Sequence, residues 1–144
     1  MPRKPNADDA RLILQLYDLR REPEMRKARQ WWTTTFWPQT ADDFVKVAMA
    51  VGTPENNWLR QVVSYWGIAA SLVLHGTLHA KPFLEMPFSG EMYVMFAKVR
   101  PFLKELREIT QNPMDFRIVE KVILGSKEGR ARLAAVEGRL ALRR

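Results

Sequence analysis

The sequence predicts an all-α, single-domain helical bundle packed around one central apolar helix. Apolar residues recur at helical spacing over most of the chain, and no segment shows the sustained alternation that is typical of a strand. The 144 residues fit one domain, and a hydrophobic content of 47% is enough for a core. We therefore expect residues 1–144 to form one bundle of about seven helices around the helix at about 54–75.

Cap residues predict where the first helices begin. Asn6 precedes an acidic first turn and predicts a helix over 7–21. Pro23 suits the first turn of a second helix. Thr40, three residues before an Asp, predicts a third helix that ends at Gly52. The apolar positions expected to face the core in these helices are Leu12, Leu16, Leu19, Met25, Ala28, Trp32, Phe36, Phe44, Val47, Ala48 and Val51.

The longest apolar helix is predicted to open at Pro54 and to end at Gly76, which suits a left-handed C-cap. Residues 61–80 contain no Asp, Glu, Lys or Arg, and this length approaches the ~20 residues that a membrane-spanning helix needs. Polar residues dilute the stretch, and Gly76 ends the helix before it could cross a bilayer. We therefore interpret it as a buried helix, with its small residues facing a close neighbour, in a soluble cytoplasmic protein.

Three more helices are predicted after the central one. Ser89 is expected to begin a helix that is kinked at Pro101, because proline cannot donate to the carbonyl one turn earlier. Asn112 is expected to cap the next helix, which Gly125 ends. Ser126 is expected to cap the last one.

The net charge of +7 arises at the two ends of the chain. Residues 1–30 carry eight Lys or Arg against five Asp or Glu, and residues 126–144 carry six against two. We expect residues 1–5 to be disordered and 126–144 to form a basic helix at the periphery. A basic surface attracts polyanions in general, so association with nucleic acid is one alternative function. The sequence shows no helix-turn-helix signature with a basic recognition helix, so this alternative has no further support.

No recognisable motif predicts a catalytic residue, a cofactor or a metal. The absence of cysteine excludes disulfides, thiol nucleophiles and cysteine-ligated metal. His75 and His79 have the spacing of helical metal ligands, but Gly76 lies between them and interrupts the helix. A glycine-rich phosphate loop and a serine elbow are also missing.

The tryptophans all fall between Trp31 and Trp66, which suggests either a core cluster or a pocket. Trp31 and Trp32 are adjacent, so we expect at least one of them at the boundary or the surface, whereas Trp66 is expected in the core. A pocket for an apolar or cationic ligand would be lined by Trp31, Trp37, Trp58 and Tyr65.

One basic helix face stands out in the second half of the chain. Arg100, Lys104 and Arg107 share this face, and Arg117 and Lys121 follow on the next predicted helix. The pattern is compatible with an anion-binding patch. Acidic residues are interleaved with these cations, so an ordinary solvated face is the alternative.

The C-terminal helix carries a narrow apolar stripe of Leu133, Val136 and Leu140, with Arg139 beside it. Two glycines, Gly129 and Gly138, each weaken an isolated helix by about 1 kcal/mol, so the helix needs a partner surface. The spacing of the stripe is that of a short coiled-coil seam, which predicts a homodimer through an antiparallel or offset pair of these helices. Packing on its own bundle is the alternative.

The segments Leu19–Arg29, Trp58–Gly76 and Leu106–Phe116 together resemble a bacterial family of small all-helical domains of unknown function. The resemblance implies a helical fold and carries no activity to inherit. The leading functional hypothesis is therefore a non-enzymatic interaction or regulatory domain that acts through protein–protein contacts. Association with nucleic acid and binding of a small apolar ligand are the alternatives.

Overall fold

The computed structural model describes residues 3–143, and within them every regular element is helical, which confirms the all-α prediction. None of the helices in this range is long and apolar enough to cross a membrane. A 3₁₀ turn at Arg100–Phe102 joins two of them. The α-helices are α1 (Ala7–Leu19), α2 (Pro23–Thr34), α3 (Ala41–Met49), α4 (Pro54–Leu74), α5 (Ala80–Phe83), α6 (Met86–Val99), α7 (Leu103–Thr110), α8 (Arg117–Leu124) and α9 (Lys127–Ala141).

Two helices, rather than one, organise the core. The predicted central helix α4 packs against α2, α3 and α8, and Trp66 at its middle is fully buried, as predicted. The second is α6, which packs against α2, α8 and α9 and buries nine of its 14 residues. One face of α4 stays open, because Ser64 and Ile68 are exposed there. The close approach expected at the small residues of α4 is absent at Ser64, which is exposed, and Gly67 lies beside α8 across a small cleft in which a Cβ would meet nothing within 4 Å.

The predicted caps at the start of α1 and α3 are present. Asn6 and Asp9 form a reciprocal capping box, and so do Thr40 and Asp43. Gly76 has φ +79°, the left-handed geometry expected of a residue just past a helix end. These three signals are local, which is why the sequence predicts them well.

Two predicted helix starts in the second half of the chain were wrong. α6 begins at Met86, and Ser89 lies buried inside its first turns. α8 begins at Arg117 rather than after Asn112, because the side chain of Asn112 accepts a hydrogen bond from Met114 N–H and forms a separate turn. Pro101 interrupts the helix rather than bending it, with the 3₁₀ turn between α6 and α7.

The N-terminal segment is held against α5, so the expected disorder of residues 1–5 is wrong for Arg3, Lys4 and Pro5. Arg3 forms a bidentate ion pair with Asp9, at 2.6 and 2.7 Å. Asp9 also accepts the backbone N–H of His79 at 2.9 Å, and His79 Nε2 lies 2.6 Å from the carbonyl oxygen of Arg3. Met1 and Pro2 lie outside the described residues.

The C-terminal helix α9 belongs to the core of its own chain. Leu133, Val136 and Leu140 are at most 8% exposed, and the helix packs against α6 and α8. The predicted dimer seam through these three side chains is therefore wrong, as is the peripheral placement, because the bundle itself covers the stripe. Gly129 permits the close approach, since a Cβ there would lie 2.0 Å from the carbonyl oxygen of Ile123. Arg139 is exposed.

Candidate protein-interaction groove

The tryptophan cluster is largely core. Trp31 and Trp32 are 8% and 1% exposed, so the expectation that one of them lies at the boundary or surface was wrong. α2 ends at Thr34, and Phe36 folds back between the two indoles. It stacks on Trp31 at 4.4 Å and meets Trp32 edge-on at 5.0 Å. A residue beyond the helix end thus buries both rings.

The four residues of the predicted ligand pocket lie in different environments. Trp31 is in this cluster, with Trp58 beside it at 6.1 Å between ring centroids. Trp37 lies under the Lys98 ammonium, 4.2 Å from the centroid of its ring. Tyr65 packs edge-on against Trp66 on another side of α4 and, of the four, lines a groove.

The two histidines do not face a common site. His75 is exposed at the C-terminus of α4, while His79 caps α5 and accepts the N–H of Lys81 on Nδ1 at 3.1 Å. Among residues 3–143 no group of three or more His, Asp or Glu is arranged to hold a metal ion.

A surface groove of about 310 Å³ lies between the end of α1, the start of α2 and the open face of α4. Leu19 and Ile68 lie on its walls and are 58% and 63% exposed. Its lining residues are Leu19, Glu22, Met25, Gln61, Ser64, Tyr65 and Ile68. Large apolar side chains exposed around a concave surface are typical of protein-interaction sites.

The α1 wall of the groove is fixed by polar contacts. Arg20 is 6% exposed, and its Nη1 donates to the carbonyl oxygen of Phe88 at 2.8 Å. The Tyr65 hydroxyl donates to the carbonyl oxygen of Leu16. Because Arg20 takes the inward position at the end of α1, Leu19 faces solvent, and its predicted inward orientation was wrong.

A buried polar network anchors the helices beneath the groove. Glu91 on α6 accepts Trp66 Nε1 at 2.9 Å on one oxygen and Arg29 Nε at 2.8 Å on the other. The Glu91 side chain is 7% exposed. The network ties α2, α4 and α6 together and so holds in place two of the helices that form the groove.

Burial raises the pKa of Tyr65 to about 12, and the nearby Glu91 carboxylate acts in the same direction. Arg20 and Arg29 oppose this rise. Tyr65 therefore stays a neutral hydrogen-bond donor at physiological pH rather than an activated nucleophile. The arrangement suits binding better than catalysis, because no residue lining the groove pairs a nucleophile with a base.

Sequence reasoning missed Leu19 and Ile68 as surface residues. Ile68 lies in a helix that reads as apolar on nearly all sides. The signal that could have shown its exposure is the set of small or polar residues on the same side of the helix, Ser64, Gly67 and Ser71. A helix face rich in such residues is more often solvated than packed.

A family model for a domain of unknown function, DUF4760, matches residues 6–125. The chain belongs to this family. The match of the DUF4760 domain begins at the N-cap of α1 and ends just after α8, so every residue that lines the groove lies inside it and α9 lies outside. No curated protein and no solved structure shows a significant match.

Proposed function

We propose that this DUF4760 domain is a non-enzymatic interaction domain whose groove between α1, α2 and α4 binds an apolar segment of a partner protein. The observation that carries the proposal is the exposure of Leu19 and Ile68, 58% and 63%, on opposite walls of one concave surface.

The energetics of the groove favour a docking role. Fully covering a large apolar side chain contributes about 1.5–3 kcal/mol, so covering Leu19 and Ile68 would supply a useful part of a binding free energy. The walls are held by Arg20, Tyr65 and the Glu91 network, so little conformational entropy is lost when a partner binds. Buried apolar anchors on a rigid frame are the usual centre of a protein interface.

The test compares Leu19→Glu and Ile68→Glu with Val51→Glu, a matched control whose side chain is 82% exposed just after α3. Proteins retained by each variant from a lysate of the source organism are quantified by mass spectrometry, and the specific partner is then titrated against each purified variant. We expect both groove variants to lose a partner that the control and wild type retain, with affinity reduced at least tenfold. Equal retention by all three variants would refute the proposal.

Association with nucleic acid is the second candidate, and exposed cations on α9 and just after it favour it. Lys127, Arg139 and Arg143 are exposed and form no ion pair within residues 3–143. Binding of this kind releases counterions, so affinity for duplex or single-stranded DNA or RNA should fall steeply with salt. Binding that vanishes near physiological salt would be non-specific attraction by a +7 chain and would count against a nucleic-acid function.

A further inference from the structure

We propose that the cleft between the end of α7 and the start of α8 binds a doubly charged phosphate group through Lys104, Arg107 and Arg117. The cleft has a volume of about 450 Å³ and is open to solvent. None of its lining residues lines the groove, so a negative result for one proposal does not count against the other. Its lining residues are Lys104, Arg107, Glu108, Gln111, Pro113 and Arg117.

Two guanidinium groups are fixed in position at this cleft. Arg107 donates from Nε to the carbonyl oxygen of Asp115 at 3.0 Å and from Nη2 to Glu120 at 3.1 Å. Arg117 donates from Nε to the carbonyl oxygen of Pro113 at 3.2 Å and from Nη1 to the same Glu120 oxygen at 2.9 Å. Each planar group is held at two points, which preorganises it for a ligand.

Three donor groups at the cleft have no acceptor within residues 3–143. They are Nη1 of Arg107, Nη2 of Arg117 and the ammonium of Lys104. The Arg107 side chain is only 14% exposed, so its charge is partly withdrawn from water. Such a charge gains more from a bound anion than a fully solvated one does.

The segment between α7 and α8 adopts backbone conformations that are costly for its residues. Gln111 and Phe116 have φ of +55° and +59°, in the left-handed region that favours glycine. Non-glycine residues held in this region are concentrated at binding sites, where the surrounding structure maintains them. The carbonyl groups of Pro113 and Asp115, which accept from the two arginines, lie between these two left-handed residues.

The charges around the cleft set the class of ligand. Glu120 neutralises one of the two guanidinium charges, and Glu108 is the acidic side chain in the lining. The Asp115 carboxylate accepts hydrogen bonds from Thr110 Oγ1 and Asn112 Nδ2. A doubly charged phosphate offers three acceptor oxygens to the three free donors, whereas a carboxylate offers two. Because the cleft is open, the phosphate can be free or carried by a peptide.

The experiment records the arginine Nε–H signals of the full chain by nitrogen-edited NMR during titration. The ligands are inorganic phosphate, a phosphoserine peptide, acetate and a short single-stranded oligonucleotide. We expect saturable shifts at Arg107 and Arg117 with the phosphate or the phosphopeptide, and none with acetate. The tighter of these two ligands identifies the source of the phosphate group, and either one supports the cleft.

Three charge-removing variants complete the test. Lys104→Gln should weaken phosphate binding about threefold to fivefold, and Glu108→Gln should strengthen it by a similar factor. Arg26→Gln, an exposed cation on α2, is the matched control and should leave the affinity unchanged. Absence of saturable shifts would overturn the proposal, as would equal weakening by Lys104→Gln and Arg26→Gln. Tighter binding of the oligonucleotide at the same arginines would assign the cleft to phosphodiester backbones and overturn it too.

Discussion

The indole Nε1 of Trp66 donates a hydrogen bond of 2.9 Å to Oε1 of Glu91. The other oxygen of Glu91 accepts from Arg29, so one carboxylate connects the two organising helices with α2. Trp66 and the Glu91 side chain are largely buried, and the indole N–H and both carboxylate oxygens have protein partners. The frame of the candidate groove therefore depends on this pair.

Trp66→Ala should lower the free energy of unfolding by about 3–5 kcal/mol, a large part of a typical 5–15 kcal/mol. Trp66→Phe keeps most of the buried area and removes the hydrogen bond to Glu91, so it should cost about 1–2 kcal/mol. Urea denaturation followed by circular dichroism measures both. If Trp66→Phe unfolded at the wild-type midpoint, the hydrogen bond would contribute nothing to stability.

Two glycine substitutions should have opposite effects. Gly67→Ala on α4 should stabilise by about 1 kcal/mol, because the added methyl group meets nothing within 4 Å and alanine favours the helix. Gly129→Ala on α9 should destabilise, because its Cβ would lie 2.0 Å from the carbonyl oxygen of Ile123. Thermal unfolding should show a rise of about 3–4 °C for the first and a fall for the second. A rise for both would mean that α9 does not approach α8 as closely as described.

Acid should weaken the fold through Asp9. Hydrogen bonds from the Arg3 guanidinium, and then from the N–H groups of Asn6 and His79, hold the pKa of Asp9 well below its usual range, although burial opposes them. The lowered pKa means that the ionised form stabilises the fold above about pH 4 and that this contribution is lost as the pH falls further. Denaturation midpoints between pH 2.5 and 7 should fall less steeply for Asp9→Asn than for wild type. The control is Asp8→Asn in the same turn, whose carboxylate is exposed and pairs with Arg11. A wild-type slope for Asp9→Asn would refute the assignment.

Alkali should weaken the fold through Tyr65, whose pKa burial raises to about 12. The folded state favours the neutral phenol, so its contribution is complete below about pH 10 and is lost as the pH rises toward 12. Tyr65→Phe should cost about 1 kcal/mol at pH 7 for the lost hydrogen bond to Leu16 and should flatten the alkaline decline. Tyr17→Phe, which removes the hydroxyl of an exposed tyrosine, is the control for the pH dependence of the free energy of unfolding. An unchanged alkaline decline in Tyr65→Phe would show that Tyr65 titrates normally.

A chain that ends at Gly125 should lose cooperative unfolding, although it contains the whole family match. α9 supplies Leu133, Val136 and Leu140 to the core, and its Glu137 pairs with Arg100 in the 3₁₀ turn after α6 at 3.0 Å. Circular dichroism and the width of the thermal transition measure the effect. Leu133→Ala in the full chain is the milder comparison and should cost about 2–5 kcal/mol. A truncated chain that melts as sharply as wild type would show that α9 is dispensable for folding.

The sequence predicts the parts of this fold that depend on neighbouring residues and misses those that depend on distant ones. The caps at Asn6, Thr40 and Gly76 are local signals and were predicted correctly. The outward orientation of Leu19 depends on Arg20 reaching Phe88, far along the chain, and no local pattern reports it.

The apolar stripe of α9 illustrates the same limit. A stripe of this width is buried equally well against its own bundle or against a second chain. The spacing of the apolar residues therefore does not distinguish the two arrangements. The deep burial of α6 was also difficult to predict, because the helix contains Lys98, and a lysine in a sequence normally indicates a surface position. The lysine is 1% exposed and donates to the carbonyl oxygens of Trp32 and Phe36.

The packing of α9 on α6 also affects the order of events during synthesis. The face of α6 that α9 covers is complete once Val99 has been made, whereas α9 is made later. At a translation rate of about 5–20 residues per second, this apolar face waits for several seconds in a nascent chain. During that interval, α6 is the surface on which a chaperone would act or aggregation would begin.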